Sequence, residues 1–473
     1  MLRSSSETKE LASGKIGRLL LKYSWPALVA MALNALYAVV DRAFIGHGCG
    51  VDAMAGIQLA LPAMMLLTSF GPLIGVGHAA VLSIKLGEGD RVTCEKLVGE
   101  TIALKILLYA VLIPLLYVFL DQVLALCGAD KVTPAAAAAA KSYLQIVLFS
   151  HLFSHLAFGL SALHRAEGGA IRSMMCMIVG FGANLVLDPI LIFGFGLGVA
   201  GAAWATNVSM LLSCCWAFSY YLRGASVVRL RLRRIWIYPS LLGRTLAIGL
   251  AQFLQQLMSA VIVASLQIAF AKWMPDEASR TAEMASLGVF SSALILVIMP
   301  ILGCQQGLQP ILGYNWGARN FRRVLQTLKT GYLVTTALTV LAFVVQVVPP
   351  FPTLIARMFV SGDNPEIIRL AAHDLQLANC MIWTISVNVV ATTYFQSIGK
   401  PRVAILLSLL RQGLVLLPII WFLPHFLADK AFAIWLSMPV SDVVCQLATI
   451  PPILLHARFL SKVRDRSVPT PAP

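Results

Sequence analysis

The chain has 473 residues, of which 59% are hydrophobic and 12% charged, and its mean hydropathy is +0.82. A water-soluble domain carries roughly 25% charged residues, so this composition excludes an ordinary soluble enzyme or binding module. The net charge of +15 does not point to nucleic acid, because the basic residues fall in short segments between apolar runs.

Residues 1–15 (MLRSSSETKELASGK) are polar, without the apolar core or small-residue cleavage site of a secretory signal, so the first apolar segment is expected to stay in the mature protein. Apolar runs of about 20 residues or more, the length that crosses a bilayer, then recur along the chain. They lie at 17–45, 53–84, 95–120, 136–163, 171–193, 199–222, 241–271, 283–315, 324–348, 365–397, 402–424 and 430–456. Barrel strands would be short and alternating, so the expected fold is an all-α polytopic membrane protein of twelve spans.

The loops alternate in charge. One set carries Lys15, Arg18 and Lys22; Lys85, Arg91 and Lys96; Arg165 and Arg172; five arginines between 223 and 234; Arg319, Arg322 and Arg323; Lys400 and Arg402; and Arg458 and Lys462. The other set holds far fewer: none in 194–198, then Lys131, Lys272, Arg280, Arg357, Arg369 and Lys430. The positive-inside rule then puts both termini in the cytoplasm, which an even number of spans requires.

The longest basic segment, 223–240, divides the chain into an N-terminal lobe (1–222) and a C-terminal lobe (241–473). Residues 71–100 align with 301–330, so that Gly77 falls on Gly307 and Gly87 on Gly317, both at an offset of 230. Gly168 and Pro189 are echoed by Gly399 and Pro418. Six spans of the same topology in each half mean parallel repeats about an axis along the membrane normal, with a cavity between two bundles.

Ionisable groups inside a span are costly and mark functional sites by default. Asp41 is one, and Asn34, Tyr37 and Asp41 stand at i, i+3 and i+7 on one helix face. Asp188 is the other, one turn after Asn184 and followed by Pro189. Proline removes the N–H that the Leu185 carbonyl would accept, so a bend is expected beside Asp188. The two acids are expected in the half of the membrane away from the basic loops.

Other groups carry weaker signals. His151 and His155 have the i, i+4 spacing of a metal pair but no HExxH glutamate, so no metal site is assigned and packing is the expected role. Arg411, alone in LLSLLRQGLVLLP, needs a partner, and Asp442 of the last span is the expected one. Gln305, Gln306 and Gln309 either line a second-lobe cavity or bond helix to helix. The nine cysteines show no paired spacing, and no phosphate-binding glycine loop suggests ATP.

Three segments together carry a family resemblance: NLVLDPILIFGFGLGVAGAAWAT (184–206), QPILGYNWGARN (309–320) and FQSIGKPRVAILLSLLRQ (395–412). They resemble the multidrug and toxic compound extrusion (MATE) transporters, the last two most closely the DinF-like bacterial branch. The resemblance implies two six-helix lobes in the bacterial inner membrane. It also implies a monomer that is not an enzyme, surrounded by membrane lipid, which exports cationic or amphipathic small molecules in exchange for protons or sodium ions. By position it makes Asp41, Tyr37, Asn184, Asp188 and Thr206 the ion-coupling and substrate site, with no other cofactor. This chain departs from the pattern before the fourth-span RAEG: Ser161 and Ala162 stand where many relatives have asparagine, which favours protons. The alternative is a lipid-linked precursor flippase of the same superfamily, whose cavity should be cationic rather than acidic.

The loop charges make one direct prediction. A reporter fused after Pro473, or inserted at Gly224, reads as cytoplasmic. A periplasmic signal at either place contradicts the twelve-span topology.

Overall fold

A computed structural model describes residues 6–224, 226–359 and 364–466. Among the described residues, twelve helices are long and apolar enough to cross a membrane, and none of the backbone is in a strand. They are Ile16–Asn34, Ala53–Glu88, Arg91–Val118, Pro134–Ala166, Ala170–Gly194 and Gly198–Leu222 in the first half. Pro239–Trp273, Glu277–Gly317, Phe321–Val347, Pro365–Ser397, Pro401–Phe426 and Lys430–Lys462 form the second. We number these spans one to twelve.

The expected gap between spans one and two, at 46–52, is not a break in helical backbone, which runs from Ile16 to Glu88. The chain nonetheless doubles back within it. Ser24 touches Gly307, and the Val76 carbonyl accepts a hydrogen bond from Gln309 at 3.3 Å. In a straight helix Ser24 and Val76 would stand about 78 Å apart at 1.5 Å per residue. The far end of the reversal packs on the first lobe, where Phe44 meets Phe193 edge-on and Gly48 lies against Ile192.

The internal repeat is carried by matching turns. Span two ends at Gly89, with φ 78°, and the Asp90 side chain then caps span three by accepting the Thr93 N–H at 3.0 Å. Span eight ends at Arg319, with φ 55°, and the Asn320 side chain caps span nine through the Arg323 N–H at 3.3 Å. Left-handed backbone at a helix C-terminus normally calls for glycine, and the first copy has it while the second strains an arginine into the same place.

The same repeat builds the seam between the lobes. A Cβ on Gly87 would collide with the Tyr314 carbonyl, and a Cβ on Gly317 would collide with the Ile84 carbonyl. These are reciprocal contacts across a pseudo-two-fold axis. Flanking it, span two meets span seven through Gly77 against Thr245 and Gly249 against Leu73. Span eight meets span one through Gly307 against Ser24 and Gly303 against Leu28, which is the same interface repeated. At Gly77, Gly87, Gly249 and Gly317 the facing atoms are backbone, while Gly303 and Gly307 admit the side chains of Leu28 and Ser24, and dispersion substitutes for the hydrophobic effect that lipid cannot supply. The seam lies at the basic ends of the spans. Toward the opposite side each lobe packs on itself, one core around Ile45, Tyr143 and Ile192, the other around Phe270, Phe290 and Trp435.

The interlobe linker belongs to the first lobe. Buried Glu167 accepts hydrogen bonds from the hydroxyls of Tyr221 (3.1 Å) and Ser226 and from the Val227 N–H (3.1 Å). Glu95 pairs with Arg231 at 2.9 Å and Arg234 at 2.6 Å, and Glu100 accepts the Tyr238 N–H at 2.8 Å. Burial pushes the Glu167 carboxyl up to about 7 against this set of donors, which pull it down.

The seam predicts a position-specific stability effect. Gly249→Val overpacks the span two–seven contact and costs about 1–3 kcal/mol, read as a lower Tm in detergent. Gly243→Ala on the same span, where a Cβ meets open space, leaves Tm unchanged. Equal Tm values for both variants contradict the close approach.

Candidate functional site

The two acids expected from the sequence converge. Asp188 of span five and Asp41, on the helix that continues span one, stand within hydrogen-bonding reach of each other. Asn184 is the hinge of the cluster: its amide donates to Asp188 Oδ1 at 3.2 Å and to Thr206 Oγ1 of span six at 3.5 Å. Thr206 passes its own proton to the Ala202 carbonyl at 3.1 Å and is also hydrogen-bonded to Tyr37. The i, i+4 spacing of Asn184 and Asp188 gives the first contact. The small residues of span six, with Ala202, Ala203 and Ala205 fully buried, let Thr206 come close enough for the second.

The cluster has more acceptors than donors. Asn184 Oδ1 and Asp188 Oδ2 are buried and receive no amide or hydroxyl proton. Two carboxyls side by side, plus an orphan amide oxygen, are satisfied by a proton or a small hard cation, and by little else.

Pro189 lies where regular α geometry ends. The next residues, Ile190–Gly194, form one π-helical turn, with the Phe195 N–H reaching back to the Ile190 carbonyl at 3.0 Å. The expected disturbance beside Asp188 is thus a change of helix type, a common feature at functional sites.

Two cavities adjoin the acids. One of about 140 Å³ is lined by Asp41, Asn184, Asp188 and apolar neighbours. The other, of about 400 Å³, is mostly apolar and includes Asn34, Met31, Met64, Phe158, Met177 and Met210. Tyr37 and Phe181 line both, and their rings stack at 5.0 Å and 14°. The stacked pair is therefore the wall between a small, largely apolar chamber that reaches the acids and a drug-sized one.

The remaining candidates separate. Arg411 does pair with Asp442, at 2.8 Å, and sits in a second π-helical segment, Leu410–Leu416. Gln305 shares a small polar pocket with it, along with Asn388, Thr392 and Gln412. Gln309 is not there: it bonds helix to helix, donating to Val76 across the seam. His151 and His155 line the large cavity. Several ionisable groups inside spans were not singled out from the sequence, although the same rule applies to them, Lys105, Glu283 and Asp374 among them. Lys105 of span three is fully buried. Glu283 of span eight accepts the Trp435 indole N–H at 2.9 Å, and Asp374 of span ten accepts the Ser286 hydroxyl at 2.6 Å.

Residues 26–190 and 247–422 match the family model described as MatE. The chain belongs to the MatE family. Among curated relatives, the multidrug export protein MepA of Staphylococcus aureus (strain MSSA476) is 26% identical over 431 residues, covering 91% of this chain and 92% of its own. MepA of Staphylococcus haemolyticus (strain JCSC1435) is 25% identical over the same length, covering 91% of each. A solved structure described as the outward-facing conformation of a multidrug resistance MATE family transporter of the MOP superfamily superposes with a TM-score of 0.86. It covers 97% of this chain and 99% of its own at 20% identity, which shows the shared fold. As a MatE protein the chain is a membrane transporter and not an enzyme.

The π turn carries a prediction for MatE span five. Pro189→Ala restores a donor for the Leu185 carbonyl and lets the α-helix run on past Asp188. Substrate binding persists and efflux falls several-fold. Wild-type values of both would make the proline mere packing.

Proposed function

We propose that the protein is a secondary antiporter that exports organic cations from the cytoplasm in exchange for protons or sodium ions. One observation carries the reading: a buried acid pair, rich in acceptors, stands one aromatic wall away from a drug-sized apolar cavity. The names of the MepA relatives, multidrug export proteins, support drug export, and the acid pair supports cationic cargo. The basic face carrying the linker is then cytoplasmic, in the inner membrane of a bacterium, and the working unit is a monomer in lipid.

The physical logic is competition for one deficit of positive charge. An organic cation in the large cavity and an ion on Asp41 and Asp188 both neutralise the same carboxylates, and the low dielectric makes it costly to hold both or neither. An ion arriving from outside displaces the cation, and a cation arriving from inside displaces the ion. Because the seam holds the lobes at their basic ends, the arrangement described here is the one that faces outward. Ser161 and Ala162 offer no amide oxygen near the fourth-span RAEG, which favours protons over sodium.

Asp41→Asn leaves the fold and its cavities but removes one of the two competing charges. In proteoliposomes loaded with a cationic dye, gradient-driven efflux by this variant falls to the level of empty vesicles. Efflux at wild-type rate under either an imposed proton or sodium gradient overturns the assignment. The same assay in wild type, with the two gradients imposed separately, identifies the ion.

A further inference from the structure

A buried acid–histidine pair stands at the basic end of the first lobe and lines none of the cavities described above. Glu100 of span three faces His78 of span two, and both are fully buried. His78 Nδ1 lies 2.9 Å from the Ile74 carbonyl, and His78 Nε2 lies 3.3 Å from Glu100 Oε2. A carbonyl oxygen only accepts, so Nδ1 carries a proton. An ionised carboxylate also only accepts, so a second proton must lie between Nε2 and Oε2, on the ring or on the carboxyl. The pair then holds one proton more than a neutral histidine and a free carboxylate. With that proton it is neutral. Without it a bare carboxylate would face the lone pair of a ring nitrogen, out of reach of solvent, which is expensive.

The other carboxyl oxygen, Glu100 Oε1, accepts the Tyr238 N–H at 2.8 Å, one residue before span seven begins at Pro239. Gly77, the neighbour of His78, lies against the Thr245 carbonyl of the same span. Span seven is gripped at both ends of its first two turns by the residues around the shared proton.

We infer that His78 and Glu100 form a second proton-binding site, whose proton keeps the linker and the start of span seven closed on spans two and three and leaves when this face of the protein opens. The inference goes beyond the export reading and holds whichever ion drives export. Charged groups on the neighbouring elements are engaged elsewhere. Lys96 of span three lies over the Tyr238 ring at 5.0 Å, and Glu95 pairs with Arg231 and Arg234 of the linker. Lys105, farther along span three, donates to the Gly71 carbonyl at 3.3 Å, and Arg244 of span seven lies beside Gly399. On span two Lys85 pairs with Glu88, and Glu167 holds the linker at Ser226 and Val227.

The sign of the pH dependence follows from the proton count. The closed pair holds the shared proton. Opened to water, the pair keeps it only below about pH 6.5, where a hydrated imidazole is charged. Opening releases no proton below that point and one proton above it. The closed form is therefore lost as pH rises, its ratio to the open form falling about ten-fold per pH unit.

Glu100→Gln removes the proton and keeps the geometry: its amide N–H donates to a neutral His78 Nε2, and its amide oxygen accepts the Tyr238 N–H. Hydrogen–deuterium exchange of peptides covering residues 236–245 is followed by mass spectrometry in purified full-length wild type and in Glu100→Gln, across a pH series on both sides of about 6.5. The chemical exchange rate is common to both proteins and cancels in their ratio. So does Glu167, which titrates at about 7 and holds the same linker. The ratio of wild-type to variant exchange is flat below about pH 6.5 and rises about ten-fold per pH unit above it. A flat ratio across the whole series overturns the inference and makes the pair plain packing. Where Glu100→Gln does not fold, Glu167→Gln, which retains the pair, is compared with a synthetic peptide of residues 232–245. The same slope is expected there, and its absence overturns the inference equally. No cargo enters the readout, so either outcome leaves the export reading as it stands.

Discussion

Two carboxylates held side by side out of water cannot both stay charged without a cation between them. Everything distinctive in the first lobe follows from that constraint. Asp41 and Asp188 come from different spans, so their meeting depends on the packing of spans one, five and six. Asn184 spends its only two amide protons inside the cluster, on Asp188 and Thr206. What remains is a demand for one or two positive charges, for which, in the proposed antiport, ion and organic cation compete.

The glycine seam decides where that exchange can be felt. Span one touches the second lobe near Ser24 and Leu28 and carries Tyr37 and Asp41 farther along the same helix. A change of charge at Asp41 therefore acts on an element already engaged with both lobes. The seam repeats the same glycine-centred contacts on either side of a pseudo-two-fold axis. The linker is clamped to the first lobe by Glu95, Glu100 and Glu167. Its exposed Leu232 (78%) and Trp236 (70%) suit the interfacial level of a bilayer.

Much of this was legible in the sequence. Span number, the repeat and the placing of Tyr37, Asp41, Asn184 and Asp188 follow from apolar length, glycine register and helical spacing, while Thr206 enters only through the family resemblance. The contacts that make them a site do not. Phe181 is an apolar residue in an apolar helix, and only its stacking on Tyr37 marks it as a wall. Lys105 lies ten residues into span three, where a long basic side chain reads as one that reaches back to the headgroups. In the folded chain it points inward, because Gly159 of span four leaves room for its alkyl stem. Glu283 stood at an expected span end, where an acid reads as a flank, and Asp374 inside an expected span went unremarked; their partners Trp435 and Ser286 hold both inside the second lobe. The reversal between spans one and two was expected at 46–52, but its helical backbone was not: no proline interrupts residues 27–61, and helical geometry continues where a loop was expected.

The most direct test of the account is ion release on cargo binding, with no gradient present. Purified protein in weakly buffered, de-energised solution is mixed with a cationic dye, and released protons and sodium are followed by a pH indicator and a sodium electrode. Competition for Asp41 and Asp188 predicts release of one ionic species in proportion to the dye bound, saturating with it. Dye binding that saturates with neither ion released would contradict the claim that ion and cargo compete for the same carboxylates.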